Sequence, residues 1–320
     1  MDAILLQILN GLDKGGAYAL IALGLTLIFG TLGVVNFAHG ALFMLGAFCT
    51  VTVQKLLTLS QKVRDENITF FVAYKEVPYL KLWLGETGDV IINYAVPLSI
   101  LLVLPFMLLV GIAMERGLIR FFYRRPHAEQ ILVTFGLAIV LQEIIRIGFG
   151  ANPIPVDAPP PVSGSADIGL WLGLGPGVVY PWWRLIYLVF AAIILGAVFA
   201  FLQFTTYGMV VRAGMRDRET VGLLGINIQR RFTAVFGIAA VVAGLAGLMY
   251  TPIVPPSYGI GMDFLVLSFV VVVVGGMGSL GGAVVAGFLL GILQSFASMN
   301  EVKAIFPGID QIIIYLVAVI

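Results

Sequence analysis

Two polar side chains, Asn36 and His39, interrupt an apolar stretch and are the residues most able to do chemistry in this sequence. The surrounding string GTLGVVNFAHGALF also holds Gly30, Gly33 and Gly40. Burying an amide or an imidazole without a hydrogen-bond partner is costly, so the pair requires either a partner or a function. If the string is helical, the two side chains share one face. Two interpretations stay open, a hinge whose polar groups bond to loosened backbone and the lining of a substrate path. A metal site is disfavoured because His39 has no second strong ligand nearby.

Catalytic side chains are scarce in the rest of the chain. Two histidines, His39 and His127, and one cysteine, Cys49, are too few for a metal centre or a nucleophile with its base. No lysine follows a glycine, so the chain has no phosphate-binding P-loop. Glu143 and Arg146 lie three residues apart in an apolar run, where they can neutralise each other. We therefore predict a protein that is not an enzyme and has no metal or cofactor of its own.

A second interruption, GGMGSLGG at residues 275–282, has five glycines in eight positions. Small residues then recur every four positions, which lets helix backbones approach closely inside a membrane. This pattern predicts a helix break followed by a closely packed helix. A helix, a break and a helix thus occur at residues 16–59 and again at 264–298, as in the repeats of transport folds. The small residues are Ala283, Gly287, Gly291 and Ser295.

The elements that carry these interruptions are long apolar runs. The chain has 320 residues, of which 60% are hydrophobic and 11% charged, and its mean hydropathy is +1.05. Such a composition excludes a soluble globular domain. The nine apolar runs predict an all-α fold, a polytopic membrane helical bundle of about 8–9 spans with two glycine or polar helix breaks, in a single transmembrane domain over residues 1–320. The last run, 311–320, is too short to cross, so we expect the natural chain to continue beyond it.

Basic residues cluster in two stretches, 115–129 and 207–231, which two apolar runs separate. Because short basic loops stay in the cytoplasm, both stretches are predicted to be cytoplasmic. The loops 60–90 and 151–183 are then external, and the proline-rich second one serves as a connector or as a docking rim for an external protein. Counting spans places the N-terminus outside, unless the first two runs form one span and a re-entrant segment. The net charge of +1 predicts no nucleic-acid partner.

The cytoplasmic stretch TTYGMVVRAGMRDRETVGLLGINIQRR alternates charged and apolar side chains. This pattern predicts one amphipathic helix that Gly225 ends. We favour a helix that docks on a partner protein. A plain basic loop and a helix lying on lipid headgroups are the alternatives. Because the chain lacks an ATP site, this helix is the expected point at which a partner drives it.

Three strings resemble the permeases of LIV-type branched-chain amino acid ABC importers. They are NGLDKGGAYALIALGLTLIFGTLGVVNFAHGALFMLGAF at 10–48, RAGMRDRETVGLLGIN at 212–227 and FLVLSFVVVVVGGMGSLGGAVVAGFLLG at 264–291. The resemblance implies a permease subunit in the bacterial inner membrane that imports branched-chain or related amino acids by alternating access. It also implies a second related permease, cytoplasmic ATPase subunits that bind the ATP, a periplasmic substrate-binding protein and membrane lipid as partners. The long external stretch 60–90 and the absence of a basic tail depart from the family pattern.

For individual positions the resemblance implies two groups. One group forms hinges or lines the translocation path, and the other forms a coupling helix seated on an ATPase. We expect Gly278→Leu to block folding or gating through lost close packing, and aspartates at two apolar coupling positions, Met215 and Leu223, to uncouple transport. The path or hinge group is Asn36, Phe37, His39, Gly40, Gly275, Gly276, Met277, Gly278 and Ser279, and the coupling group is Arg212, Met215, Arg216, Asp217, Glu219, Leu223, Leu224 and Gly225.

The alternative function is a secondary transporter or facilitator for small solutes. Such a protein needs a coupling carboxylate deep in a span, and Glu143 is the only candidate that the sequence suggests. The solute itself is open, with leucine-like amino acids, other amino acids, urea-like solutes and aromatic acids all compatible with these residues.

Overall fold

The computed structural model describes residues 2–64, 74–171, 173, 175 and 177–319, with the backbone alone at positions 64, 216, 218 and 219. In these residues seven helices are long and apolar enough to cross a membrane, and two shorter apolar helices accompany them. All nine correspond to the apolar runs, which confirms an all-α polytopic membrane bundle. The helices are α1 (Asp2–Leu32), α2 (His39–Leu57), α3 (Tyr79–Leu84), α4 (Glu86–Asn93), α5 (Ala95–Gly117), α6 (His127–Phe149), α7 (Ile168–Trp171), α8 (Trp182–Phe204), α9 (Thr206–Arg216), α10 (Arg218–Leu223), α11 (Ile228–Tyr250), α12 (Ile260–Gly275), α13 (Leu280–Ala297), α14 (Asn300–Ile305) and α15 (Ile309–Val319).

Two small antiparallel sheets lie in the connections of the bundle. Strand β1 (Ser60–Arg64) pairs with β2 (Tyr74–Pro78), and Ser60 lies opposite Pro78. Strand β3 (Ser165–Asp167) pairs with β4 (Val179–Pro181) in the proline-rich connection before α8. Both sheets belong to the stretches predicted to be external loops.

The helices divide into a buried centre and an exposed periphery. In α1, 89% of the most apolar stretch is buried inside the protein, whereas in α6 only 17% is buried. Helices α2 and α11 resemble α1 in this respect, and α5 and α8 resemble α6. Exposed apolar side chains such as Leu101 on α5 and Ile147 on α6 therefore face the position of the lipid.

Helix α13 packs along α1 between Gln7 and Ala19, through small residues on both helices. A Cβ atom added at Gly287 would lie 2.9 Å from the Cα of Ala19, and one at Gly15 would lie 2.8 Å from the Cα of Phe288. At the far end, the Ser295 hydroxyl donates a 2.6 Å hydrogen bond to Gln7. The small-residue spacing on α13 thus predicted a close helix contact correctly, and its partner is α1.

Glycines also set the position of α2 in the centre. Gly40 packs on the backbone of Gly261 in α12, and Gly46 packs on the backbone of Gly244 in α11; neither site leaves room for a Cβ atom. Helix α2 is therefore held between α11 and α12 by direct backbone contacts.

The two basic stretches lie at one end of the bundle, which we call the basic end. Glu115 of α5 lies 2.9 Å from the hydroxyl of Thr233 in α11, and the Arg120 guanidinium donates to both side chains. This contact agrees with the prediction that the two stretches share a side of the membrane. The first loop is shorter than predicted, because residues 115–117 belong to α5 and residues 127–129 to α6.

Candidate functional site

The first helix break, residues 33–38, separates α1 from α2 and is buried. Gly33 has a φ of +66°, and its N–H donates to the carbonyl of Phe29, which ends α1. The Asn36 carboxamide oxygen accepts a 3.0 Å hydrogen bond from the N–H of Ala38. The N–H of Phe37 donates to the hydroxyl of Thr134 in α6, also at 3.0 Å. The polar groups of this break therefore hold loosened backbone, as the hinge interpretation requires.

The same break leaves polar atoms without partners. Asn36 and His39 are fully buried, and neither the Asn36 amide nitrogen nor the two His39 ring nitrogens form a regular hydrogen bond with a described residue. The imidazole interacts electrostatically with the backbone of Ile21, and it occupies a notch that Gly24 leaves open, since a Cβ there would lie 2.5 Å from Nε2. Unpaired buried polar atoms also fit a solute path, so the structure supports features of both interpretations.

The condition under which Asn36 and His39 would share one helical face is not met. Asn36 lies in the non-helical segment, and His39 is the first residue of α2. Phe37, between them, contacts the ring of Phe135 in α6 at 6.4 Å and the ring of Phe269 in α12 at 5.3 Å between centroids. The break thus joins two helices, α6 and α12, besides its own two.

The second helix break, residues 276–279, lies at the basic end and is largely exposed. Gly276 and Gly278 have φ values of +91° and +87°, which L side chains rarely adopt. The Ser279 hydroxyl caps α13 by accepting from the N–H of Gly282 at 3.2 Å. Met277 is 55% exposed. Close packing occurs between Gly275 and Gly282, where no Cβ fits.

The packing reason given for Gly278 is therefore wrong. A Cβ atom at Gly278 would have no neighbour nearer than the Cα of Gly30, at 3.8 Å, so space is available. What restricts this position is its left-handed backbone conformation.

A three-residue junction connects the end of α1 to the second break and to α9. A Cβ atom at Gly30 would lie 2.5 Å from the terminal methyl carbon of Met215 and 3.5 Å from the Cα of Gly278. Met215 thus points into the bundle. Met215 is half-buried and packs on α1, so its place in the coupling group stays a prediction, and Leu223 and Leu224 are the more exposed apolar members of that group.

The predicted single coupling helix is two short helices. Asp217 has extended backbone angles between α9 and α10, and its carboxylate accepts hydrogen bonds from the backbone and hydroxyl of Thr220. Gly225 follows α10 with a φ of +78°, as predicted for a residue that ends a helix. Leu223 and Leu224 are 87% and 73% exposed, so they form the apolar surface that α9 and α10 present to solvent.

The charged members of the coupling group have different positions. Arg212 donates to the carbonyl of Leu202 and to the side chain of Gln203, which ties α9 to the end of α8. The side chains of Arg216 and Glu219 lie outside the part of the chain that the structure describes.

Buried charges are the candidate functional residues that the sequence reasoning missed. Asp13 is 1% exposed inside α1 and lies 3.4 Å from the guanidinium of Arg184 in α8. Glu143 pairs with Arg146 at 2.9 Å, as predicted, and both side chains are well exposed. Because Asp13 also lies inside a membrane helix, Glu143 is not the only intramembrane carboxylate. The dipeptide Asp13-Lys14 inside an apolar run was the available signal.

A second missed carboxylate, Glu115, is buried at the basic end. It accepts from Arg120 at 3.0 and 3.1 Å and from the Tyr123 hydroxyl at 2.5 Å. These hydrogen bonds raise the pKa of Arg120 above its ordinary value. Glu115 is satisfied and joins α5 to the first basic loop, so its role is to hold that loop in place.

A cavity of about 660 Å³ opens at the end opposite the basic end. It lies between the end of α2, the start of α5 and the proline-rich connection, so residues from this connection wall a space large enough for a small solute. The polar residues that line it are Gln54, Thr58, Asn93, Asp157 and Ser163.

Comparison with known proteins gives a consistent result. A family model described as "Branched-chain amino acid transport system / permease component" matches residues 7–320. The chain is 27% identical over 299 residues to the high-affinity branched-chain amino acid permease protein BraD of Pseudomonas aeruginosa, covering 91% of this chain and 85% of BraD. LivH of Escherichia coli K12, with a corresponding name, is 25% identical over 297 residues and the same shares. The ribose import permease RbsC of Haemophilus influenzae is 23% identical over 71% of this chain and 69% of RbsC. No solved structure matches.

Proposed function

Since the chain belongs to the family of permease components of branched-chain amino acid transport systems, we propose that it is the membrane subunit of an ATP-driven importer of branched-chain or related amino acids. The names of BraD and LivH support this solute class. RbsC, named for ribose, covers less of the chain, which makes a sugar the weaker choice. The protein itself acts as a gate and not as an enzyme.

One observation carries the mechanism, the position of Gly30 against both Met215 of α9 and Gly278 of the second break. Through Met215, α9 touches the end of α1 just before the first break, and the same end of α1 lies against the second break. A displacement of α9 therefore moves both breaks together. Because packed cores switch between discrete arrangements rather than deforming smoothly, such a displacement can drive alternating access.

The solute path runs past the buried break. Asn36, Phe37, His39 and Gly40 lie at the junction of α1, α2 and α12. The Asn36 amide nitrogen has no hydrogen-bond partner among the described residues, and the His39 imidazole interacts only with the backbone of Ile21, so both side chains can still bind a polar solute. These groups are neutral donors and acceptors, suited to a zwitterion that must leave again. Gly275, Gly276, Met277, Gly278 and Ser279 form the hinge at the basic end.

The basic end faces the cytoplasm of a bacterial cell, and the membrane is its inner membrane. Cytoplasmic ATPase subunits, which bind the ATP, dock on the exposed surface of Leu223, Leu224 and Gly225. A second related permease completes the pore, and a periplasmic binding protein delivers the solute to the opposite end, where the proline-rich connection lies.

Two exposed leucines provide the test of coupling. In proteoliposomes containing the complex, Leu223→Ser with Leu224→Ser is expected to abolish solute-stimulated ATPase activity and leucine uptake while leaving the melting temperature of the permease unchanged. The matched control is Phe121→Ser, which alters a 70% exposed apolar side chain on the other basic loop. Undiminished uptake in the double variant contradicts the docking assignment.

A second experiment separates this proposal from a secondary transporter. The chain alone, in liposomes with a proton or sodium gradient, is expected to take up no radiolabelled leucine. Asp13 makes this control necessary, because it is a buried carboxylate of the kind such a transporter needs, although Arg184 neutralises it. Gradient-driven uptake by the isolated chain that Asp13→Asn abolishes would establish the alternative.

A further inference from the structure

A second cavity, of about 510 Å³, lies at the basic end beside the coupling helices. Its lining does not include Gly30, Leu223 or Leu224, and it borders the proposed ATPase-docking surface at Gly225. One wall is the start of α9, and the other is the turn that leads from α10 into α11. The residues that line it are Tyr207, Gly225, Ile226, Asn227, Arg230 and Arg231.

The charge of this cavity is entirely positive. Arg230 and Arg231 are the charged residues of its lining, and neither forms an ion pair with any residue in the described part of the chain. Two adjacent guanidinium groups without a carboxylate suit a ligand with several anionic oxygens, because the guanidinium fork matches phosphate geometry.

One of the two arginines is held in place. The Arg231 guanidinium lies 4.4 Å from the centre of the Tyr207 ring, and the Tyr207 hydroxyl donates a 3.0 Å hydrogen bond to the Arg231 carbonyl. Arg230 is exposed, and only its backbone is engaged, by the Asn227 side chain that caps α11. The cavity therefore combines one guanidinium that an aromatic ring positions with a second, exposed one.

The position of the cavity along the membrane helices indicates the kind of ligand that it binds. It lies where the membrane helix α8 ends, at the 84% exposed Phe204, and where α11 begins, at Ile228. Tyr207, which lines the cavity, is one of the two residue types enriched at the boundary between hydrocarbon and water. Phospholipid phosphates lie at this depth, and the cytoplasmic leaflet carries the anionic lipids.

We propose that this cavity binds the phosphate of an anionic phospholipid headgroup from the cytoplasmic leaflet. The proposal takes from the proposed function only the orientation of the basic end, not the solute or the energy source. Because Gly225 and Ile226 form part of the wall, the bound headgroup braces the turn between α10 and α11. Lipid composition would thereby set how firmly the coupling helices are held.

Lipid retention tests the proposal without any transport measurement. Wild-type protein is purified from bilayers of equal phosphatidylglycerol and phosphatidylcholine, and retained lipids are counted by native mass spectrometry. We expect enrichment of phosphatidylglycerol, which falls about fivefold in Arg230→Gln. Arg231→Gln is expected to act in the same direction, and its fold is checked by its melting temperature. The matched control is Arg125→Gln on the other basic loop, where retention should stay at the wild-type value.

Three outcomes overturn the proposal. Equal retention in wild type and in Arg230→Gln shows that this cavity does not hold the lipid. Displacement of the lipid by millimolar inorganic phosphate shows a site for a free anion. Unchanged lipid retention together with lost ATPase binding in Arg230→Gln shows that an acidic protein side chain occupies the cavity. None of these results depends on whether leucine is transported.

Discussion

The two helix breaks differ in how they are built. The break at residues 33–38 is buried and is held by side-chain hydrogen bonds and ring contacts with α6 and α12. The break at residues 276–279 is exposed and is formed by glycines with positive φ. The first break buries polar groups, which costs free energy, so the surrounding helices must stabilise it. The second break needs only glycines, whose backbone can adopt a positive φ. Changes at the first should thus act mainly on folding, and changes at the second mainly on motion.

The two breaks also differ in the helices that flank them. Helices α12 and α13 pack against each other directly after their turn, at Gly275 and Gly282. Helix α1 instead packs along α13, and α2 packs between α11 and α12. The repeat suggested by the sequence is therefore not reproduced in the packing of these four helices.

The largest loss of stability should come from adding a side chain at Gly40, just after the buried break. Gly40→Val places side-chain atoms on the backbone of Gly261, so we expect a loss of roughly 3 kcal/mol in the free energy of unfolding. Thermal unfolding in detergent measures this loss. The control is Gly136→Val in α6, where a Cβ meets nothing within 4 Å. A Gly40→Val protein as stable as the control would contradict the close contact of α2 with α12.

A smaller stability effect and a larger functional effect should follow from Gly278→Leu. A leucine in the left-handed region costs about 1–2 kcal/mol, and relaxation of the turn would shift Gly30 and Met215. We expect the protein to fold but its solute-stimulated ATPase activity to fall at least tenfold, a bound we set for a disabled hinge. Gly281→Leu, at a position with open space, is the control. Full activity of Gly278→Leu would remove the hinge role from this turn.

The hydrogen bond between the buried break and α6 can be removed by replacing one hydroxyl group with a methyl group. Thr134→Val keeps the shape of the side chain but deletes the acceptor for the N–H of Phe37, so the protein should lose about 1 kcal/mol of stability. Thr52→Val is the control, since that hydroxyl bonds to Phe48 within its own helix. Equal melting temperatures for the two variants would mean that the bond across the break contributes nothing.

The smallest change in stability should follow from His39→Leu. This variant therefore distinguishes an effect on transport from an effect on folding most clearly. The His39 imidazole forms no regular hydrogen bond and interacts only with the backbone of Ile21, so His39→Leu should change the unfolding free energy by no more than about 1 kcal/mol. Uptake of leucine by the complex should fall if the imidazole lines the path. A stable variant with undiminished uptake would leave His39 with a packing role only.

Much of this fold followed from local patterns. Apolar runs located the seven described helices that are long enough to cross a membrane and the two shorter apolar helices. Glycine clusters located both breaks, and the spacing of small residues identified the packing face of α13. Each of these features depends on the chemistry of a single segment in a hydrocarbon environment. The ends of helices were less well predicted, since α5 and α6 extend into the loop assigned to residues 115–129.

The candidate site was predicted only in part. The sequence located both helix breaks, but it did not show that Met215 points into the bundle or that Asn36 lies outside both helices, and it gave a packing reason for Gly278. An amphipathic pattern does not tell which apolar side chains meet the rest of the protein, and a glycine cluster does not tell which of its residues adopt a positive φ. Asp13 was missed because its partner, Arg184, is distant in the chain.

The sequence by itself determined that the protein lies in a membrane and that it is helical. It also determined the positions where the helices break and the end that carries the basic loops. These follow from the hydrophobicity, charge and backbone freedom of neighbouring residues. Only the tertiary structure decided that α1, α2 and α11 form the centre, that Gly24 makes room for His39, and that Gly30, Met215 and Gly278 meet. Those contacts join residues far apart in the chain, and they arise from the shapes of packed helices, which no single segment contains.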